Sequence, residues 1–219
     1  MTGLEWAYLL RDHPDEASGC VWSSLDGPAW HCLLCRQPQF AVHCDWSFAK
    51  EWTDNLGRWY WATLLGEQPR FADKCDWTIF DETDLKWIVG HQPCLANNIP
   101  IEKCRGRVLG IICKTRADLL ADYKWDMLTG WDWCQVLLEA GDTMPPGILA
   151  KCDWGLFSGR DWTELLESKS QYAGKCDWTK LGKDEWQELL FTRPEYRQQF
   201  DKYSTLKYED LRVDEWEPL

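Results

Sequence analysis

Hydrophobic residues recur along the chain at fixed positions of a repeat about 24 residues long. With its cysteine as position 0, each repeat has Trp at position 2, Leu or Phe at 5, Trp at 10 and a Leu-Leu type pair at 13 and 14. Pro follows at 18, an aromatic residue or Leu at 20, and Ala at 21. The repeat from Cys20 fits throughout, with Trp22, Leu25, Trp30, Leu33, Leu34, Pro38, Phe40 and Ala41. A fixed period of this length is the signature of a repeat array.

These spacings predict helices. Positions 10, 13 and 14 follow the i, i+3, i+4 pattern of one apolar helix face. A small polar residue at position 6 and an acid at position 9 resemble a capping box at the helix start, as in Thr2/Glu5, Asp81/Asp84, Thr129/Asp132 and Ser158/Asp161. Pro at 18 disfavours helix just before it and suits the start of a second, shorter helix, with positions 20, 21 and 24 on one face. The Cys-Asp-Trp segment is predicted to be a turn.

Each repeat is therefore predicted to be a hairpin of two short helices, too small to bury its own aromatic face. Stacking of successive repeats buries that face, and each fully buried aromatic side chain contributes roughly 1.5–3 kcal/mol. We predict an all-α fold, an α-solenoid of about eight stacked hairpins that is irregular in the middle.

We expect one repeat domain over 1–219. Its units are predicted near 1–19, 20–43, 44–74, 75–103, 104–122, 123–151, 152–175 and 176–199, with a C-terminal cap at 200–219. The unit from Cys44 has seven extra residues between Trp46 and Leu56. The unit 104–122 is degenerate and short, and we expect the irregular middle to bend the array.

Charge and hydropathy limit the partners and the compartment. The net charge of −12 argues against non-specific binding to nucleic acid and leaves room for a basic partner. No apolar run approaches the roughly 18 residues that a membrane span needs, and the N-terminus lacks the features of a signal peptide. We expect a protein of the cytoplasm, in the producing cell or in a host cell, with no membrane contact.

Six of the eleven cysteines, Cys20, Cys44, Cys75, Cys104, Cys152 and Cys176, are assigned to position 0 and are predicted to be packing residues. An odd number without an export signal argues against a disulfide framework. Phe200 takes position 0 in the last unit, and a position that accepts Phe for Cys is one where Cys serves as a small hydrophobe.

Some units resemble a known tandem repeat. The segment Gln68-Pro69-Arg70-Phe71-Ala72-Asp73-Lys74-Cys75-Asp76-Trp77, and its counterpart from Arg36 to Trp46, are similar to "QPQFADKCDW"-type repeats of proteins from gut bacteria and their mobile elements. The resemblance covers nearly the whole chain and is weakest across 104–122 and at the C-terminus. It implies the repeat architecture and carries no catalytic residue over.

The best candidate for a zinc site is His31-Cys32-x-x-Cys35. A structural zinc ion needs four ligands, and outside the repeat positions only His43, Cys94, Cys113 and Cys134 are available to complete the set. Because Cys32 and Cys35 flank Leu33 and Leu34 in a predicted helix, we interpret them as ordinary helix residues. The sequence also lacks a phosphate-binding loop, a dinucleotide fingerprint and a nucleophile elbow. We therefore predict no metal, no cofactor and no enzymatic activity.

Two sets of residues are not explained by the repeat. One is a basic group in an otherwise acidic chain, Lys103, Arg105, Arg107, Lys114 and Arg116; the other is the tryptophans outside positions 2 and 10, Trp52, Trp59, Trp87 and Trp131. The basic set is a candidate contact for an acidic partner or a phosphate, and Trp is enriched in binding hot spots, so both sets are candidate partner-binding residues. The alternatives are pairing with acids on adjacent repeats for the basic set and packing beneath a loop for the tryptophans.

The favoured hypothesis is a non-catalytic protein–protein interaction scaffold or inhibitor. In a phage or a mobile element, it would block a bacterial defence or nuclease complex. One alternative is a repeat protein that binds a nucleotide or small molecule, held by the basic segment and stacked on a Trp. A second is an enzyme with an unrecognised site.

Overall fold

The computed structural model describes residues 1–52 and 54–211, and every regular element in these ranges is helical. By residue contacts the chain divides into two compact units, Met1–Ile101 and Glu102–Leu219. The first unit contains α1 (Gly3–Asp12), α2 (Gly27–Arg36), α3 (Asn55–Glu67) and α4 (Glu82–His91). The second contains α5 (Gly106–Thr115), α6 (Gly130–Ala140), α7 (Pro146–Leu149), α8 (Gly159–Ser168), α9 (Lys183–Thr192) and α10 (Arg197–Tyr203). The predicted all-α class is confirmed.

The helices pack in chain order. In the first unit α1 contacts α2, α2 contacts α3 and α3 contacts α4; in the second unit α5 contacts α6, α6 contacts α8 and α8 contacts α9. Each of these eight helices, called the repeat helices below, carries positions 10, 13 and 14 of one repeat. Packing of each repeat on the next is the architecture of a helical repeat solenoid.

The predicted caps begin four of the repeat helices. Thr2, Asp81, Thr129 and Ser158 each accept the amide of the residue three places on, and the acid there accepts the amide of the cap, which completes a capping box. This exchange satisfies two backbone donors that the first turn leaves free. In five repeat helices the C-cap is the residue before Pro, as at Gln37, whose φ and ψ are −127° and 67°.

The predicted second, shorter helix of the hairpin is a 3₁₀ helix. These helices are Pro14–Gly19, Pro38–His43, Pro69–Lys74, Pro93–Asn98 and Ser170–Lys175. The amide of Cys44, at position 0, donates to the carbonyl of Ala41 three residues earlier, so the chain leaves the helix before an α-helical turn forms. The predicted turn that follows is also a 3₁₀ turn, as in Trp77–Ile79, where the Asp76 carboxylate accepts the amide of Thr78.

Stacked tryptophan pairs form the centre of the repeats. The Trp at position 2 lies against the Trp at position 10 of its own repeat, with ring centroids 5.3–6.0 Å apart and ring planes within 9–21°. The pairs are Trp22–Trp30, Trp46–Trp61, Trp125–Trp133, Trp154–Trp162 and Trp178–Trp186. Such offset stacking adds to the free energy gained by burial. The position 10 tryptophans of these pairs are at most 3% exposed, which places them in the core.

The structure places one repeat boundary differently from the sequence prediction. Along the sequence, the 3₁₀ turn Ile101–Lys103 and α5 follow Ile99 by the same numbers of residues as the 3₁₀ turn Trp22–Ser24 and α2 follow Cys20. Ile99, which is 5% exposed, thus occupies position 0, and the repeats from Cys75, Ile99 and Tyr123 follow at the regular 24-residue interval. Cys104 lies at position 5, a core position that is 2% exposed. This repeat has neither the Cys at position 0 nor the Trp at positions 2 and 10, so the sequence prediction misplaced its start. The unit predicted as a short 104–122 is a full-length repeat that begins at Ile99.

The C-terminal cap is described as far as Leu211. Phe200 is buried at position 0 and contacts Trp186 edge-on, with centroids 5.4 Å apart. The Arg197 guanidinium lies 3.5 Å from the centroid of the Tyr208 ring, and Leu211 is 5% exposed. The rest of the predicted cap, 212–219, lies outside the described residues.

Candidate interaction surface

Position 8 is exposed in every repeat helix. It lies two residues before the core residue of position 10, and its occupants are Leu4, Pro28, Trp59, Thr83, Arg107, Trp131, Arg160 and Asp184. Positions 13 and 14 of the same helices hold only Leu, Ile, Val or Cys. The repeat therefore keeps its core constant and varies the chemistry of one surface position, which we call the outward position.

Two candidate tryptophans are exposed in the first unit. Trp59, at the outward position of α3, is 54% exposed and its ring centroid lies 5.7 Å from that of His31. Trp87 of α4 is 37% exposed, stacks on His91 with centroids 4.0 Å apart, and covers Gly66 of α3 so closely that a Cβ there would lie 2.4 Å from its ring. Both indole rings present surface that a partner would bury.

Trp52, the third candidate in this unit, belongs to the core instead. It is 6% exposed, its ring meets Trp61 edge-on with centroids 5.5 Å apart, and its Nε1 lies close to Gly27 of α2. The insertion after Trp46 thus folds an extra indole into the interior. The alternative of packing beneath the loop holds for this residue, and Trp52 offers no surface to a partner.

The basic residues of the second unit take different positions. Arg105 is half-buried and donates from Nη1 to the carbonyl of Met127 at 3.2 Å. Arg116 is half-buried at the end of α5 and pairs with Asp118 at 2.8 Å. Arg107, at the outward position of α5, donates from Nε to Oε1 of Gln135 on α6 at 2.6 Å. These residues therefore serve contacts within the unit as well as any partner.

Lys103, Lys114 and Trp131 complete the candidate set. All three are exposed, and neither lysine forms an ion pair within the part of the chain that the structure describes. Trp131, at the outward position of α6, is 49% exposed. Arg105 and Arg116 flank the ten-residue α5 and lie about 16 Å apart along its axis. The basic set therefore extends along α5 and the residues that flank it, and Arg107 and Trp131 occupy the same position on adjacent helices.

His31 lies in a pocket of aromatic rings. Its Nε2 lies 2.7 Å from Thr63 Oγ1 and 3.5 Å from Cys35 Sγ, and its ring lies within 6.2 Å of Trp52, Trp59 and Tyr60. Burial lowers the pKa of His31 to about 4. Among the described residues, no group of three or more His, Cys, Asp or Glu side chains is placed to hold a metal ion.

The cysteines are free thiols, and five of them, Cys44, Cys104, Cys113, Cys134 and Cys152, are buried. Cys44 and Cys152, at position 0, are 9% and 8% exposed, and burial raises their pKa to about 11 and about 12. A thiol is a weak nucleophile, since the thiolate is the reactive form. Position 0 is thus a packing position, as predicted.

The sequence prediction missed a ladder of hydrogen bonds between repeats. The residue before Pro, at position 17, donates its side chain to the carbonyl at position 15 of the preceding repeat helix. The bonds are Gln37 to Arg11 (2.7 Å), Gln68 to Cys35 (3.0 Å), Gln92 to Gly66 (2.8 Å) and Arg193 to Glu167 (3.1 Å). They satisfy carbonyls that a helix end leaves free. The recurrence of Gln before Pro is the signal that marks this ladder.

No family model, no curated protein and no solved structure gave a significant match to the chain. Within the described ranges, every helix is too short or too polar to cross a bilayer.

Proposed function

We propose that the protein is a non-catalytic repeat protein that binds another protein through the outward positions of its repeat helices. One observation carries this proposal: the eight repeat helices share a core, yet their outward positions differ in charge, size and polarity, from Trp59 and Trp131 to Arg107 and Asp184. A position that serves only solubility has no need of indole rings. Variation of surface residues on a constant scaffold is how repeat arrays form binding surfaces.

The exposed tryptophans support a protein partner. Trp59, Trp87 and Trp131 expose between 37% and 54% of their area, and burial of an aromatic ring at an interface contributes more than that of most residues. The helices that present them are rigid elements, which lowers the entropy cost of binding.

The titratable groups support a non-catalytic role. The aspartates of the Cys-Asp-Trp segments and the acids at position 9 already accept backbone amides as caps. The thiols at position 0 are kept neutral by burial. These groups serve the fold, and none of them is left poised as an acid, base or nucleophile in a cleft.

We place this binding in the cytoplasm of the producing cell or of a host cell. A more specific form of the proposal is an inhibitor that blocks a bacterial defence or nuclease complex. It rests on the net charge of −12 and on the resemblance to repeats of mobile elements. An acidic surface competes with nucleic acid for a basic groove.

The test is affinity capture from the producing cell, quantified by mass spectrometry. Trp59→Ser removes an outward indole, whereas Val42→Ser removes an apolar side chain that is 83% exposed on the 3₁₀ helix Pro38–His43. We expect one protein to be captured by the wild type and by Val42→Ser and to be lost from Trp59→Ser. Equal capture by all three, or hydrolytic activity of the purified chain without any captured protein, would contradict the proposal.

A further inference from the structure

The packed pairs α5–α6 and α8–α9 of the second unit are each joined by an arginine contact at the same two repeat positions, but the chemistry of that contact differs. In α8–α9, Arg160 at the outward position donates to the Glu188 carboxylate at 2.8 Å. In α5–α6, Arg107 at the same position donates to the Gln135 amide at 2.6 Å. Both contacts span 28 residues and join position 8 of one helix to position 12 of the next. The first arginine is neutralised by its own chain, and the second keeps its full charge.

Two other surface positions are also acidic in α8–α9 and basic or aromatic in α5–α6. Position 15 is Glu167 on α8 and Lys114 on α5, and the second outward position is Asp184 on α9 and Trp131 on α6. Residues 102–116 contain five basic side chains and one acidic side chain, although the chain carries a net charge of −12. The surface of α5–α6 is therefore basic and aromatic where that of α8–α9 is acidic.

Gln135 holds Arg107 in a fixed orientation. Its side chain is 4% exposed, its Oε1 accepts from Arg107 Nε, and its Nε2 is buried without a hydrogen-bond partner among the described residues. The exposed guanidinium keeps Nη1 and Nη2 free of hydrogen bonds to the described part of the chain. Two parallel donors in a fixed plane match a carboxylate, and an arginine that is already held in place loses less entropy when it binds one.

The nearest acid on α6 does not neutralise this site. Glu139 packs its Cβ against Gly110 of α5, where the two helices approach closely, and forms no ion pair with Arg107 or Lys114. Asp132 accepts the amide and hydroxyl of Thr129 as part of the helix cap. Arg107 and Lys114, seven residues apart on α5, lie on the same side of the helix, and neither forms an ion pair with a described residue of the chain.

We propose that the α5–α6 surface, formed by Arg107, Lys114, Trp131 and the supporting Gln135, binds an acidic segment of a protein partner. A carboxylate of the segment binds end-on to Nη1 and Nη2 of Arg107, a second acid faces Lys114, and an apolar side chain covers Trp131. The inference rests on the proposed protein-binding function and names the chemistry of the partner that this surface recognises.

The experiment selects peptides from a random displayed library on the immobilised full chain and compares three variants of equal net charge. Arg107→Gln removes the free cation, and Gln135→Glu copies the α8–α9 pair by giving Arg107 a carboxylate of its own chain. Arg160→Gln is the control, because it removes a cation that is already neutralised. Melting curves of the three variants confirm that each is folded.

We expect the selected peptides to be rich in Asp and Glu. Their affinity should fall about tenfold or more in Arg107→Gln and in Gln135→Glu and change by less than about twofold in Arg160→Gln. Equal losses in all three variants would show a general charge effect and overturn the proposal. Peptides without acidic residues, or the recovery of no peptide, would overturn it as well.

Two further outcomes would also overturn it. One is that a short single-stranded DNA binds the chain more tightly than the selected peptides and loses affinity to the same extent in Arg107→Gln. This result would mean that the surface recognises phosphate. The other is concentration-dependent self-association that Arg107→Gln abolishes, which would make the acidic partner a second copy of the chain. The proposed function is tested separately by Trp59→Ser, so loss of this inference leaves that test intact.

Discussion

At the scale of single residues, glycine at position 7 determines how closely two repeats approach. A Cβ on Gly159 of α8 would lie 2.4 Å from the carbonyl oxygen of Lys180, and one on Gly130 of α6 would lie 2.3 Å from that of Leu156. Both oxygens belong to position 4 of the next repeat. The contact is to backbone, which cannot move aside as the end of a long side chain does.

We therefore expect Gly159→Ala to destabilise the fold by about 1–3 kcal/mol, because the new methyl group forces the two repeats apart. Gly174→Ala is the matched control, since a Cβ there would meet no atom within 4 Å. Urea unfolding measures both. Equal midpoints for Gly159→Ala and the wild type would show that position 7 is not a point of close contact.

His31 should make stability depend on pH. Burial lowers its folded pKa to about 4, below the ordinary value of 6.5, so between these values the unfolded chain binds a proton that the folded chain does not. The contribution of neutral His31 is complete above about pH 6.5 and is lost as the pH falls towards 4. We expect the Tm of the His31→Gln variant to fall by less than the Tm of the wild type between pH 7 and pH 4.5. His13→Gln, at an exposed histidine, is the control, and identical pH profiles for all three proteins would refute the assignment.

At the scale of the elements, the repeat helices α1, α2, α3 and α8 are each stabilised at both ends, by a different device at each end. A capping box or a single side chain satisfies the amides at the start, and the ladder from position 17 satisfies a carbonyl at the end. The second device comes from the next repeat, so one repeat completes the helix of its predecessor. This coupling adds directional contacts to the non-directional burial of the tryptophan pairs.

Gln92→Leu should weaken the contact between α3 and α4. It removes the bond to the carbonyl of Gly66 and leaves that carbonyl with one partner fewer, at an expected cost of about 0.5–1.5 kcal/mol. Gln198→Leu, at an exposed glutamine of α10, should change stability by less than half of that amount. Thermal unfolding measures the loss of stability in the two variants. A larger loss in Gln198→Leu than in Gln92→Leu would contradict the stabilising role of the ladder of hydrogen bonds.

The elements were predictable wherever local chemistry determines them. Spacing of Trp and Leu and the Thr2, Asp81, Thr129 and Ser158 caps depend on near neighbours, and these predictions are confirmed. The boundary at Ile99 was not predictable from the Cys-Asp-Trp marker, because Ile99 and Leu109 keep the packing role with different side chains. Of the candidate surface residues, Trp52 was indistinguishable from Trp59 in sequence, since only the path of the insertion after Trp46 buries one and exposes the other.

At the scale of the whole molecule, stability is expected to be distributed among nearest neighbours. Each repeat helix contacts the next one in its unit, and arrays of this kind transmit perturbations mainly to adjacent repeats. The contrast between the basic α5–α6 surface and the acidic α8–α9 surface shows that surface chemistry also changes from repeat to repeat within one unit.

Hydrogen exchange tests this distribution. Trp162 is fully buried in α8, and Trp162→Leu should weaken the core of its repeat without removing it, since Leu85 and Leu109 occupy the same position in other repeats. We expect amide exchange to accelerate most in α8, next in α6 and α9, and least in α5. A uniform acceleration across α5, α6, α8 and α9 would indicate a unit that unfolds only as a whole.

The division of tryptophans between a shared interior and an outward surface is best tested by hydroxyl-radical footprinting of the full chain, read residue by residue by mass spectrometry. We predict fast oxidation of Trp59, Trp87 and Trp131 and protection of Trp61, Trp133, Trp162 and Trp186, which are at most 1% exposed. Similar oxidation rates in the two groups, or faster oxidation of the second, would contradict the account.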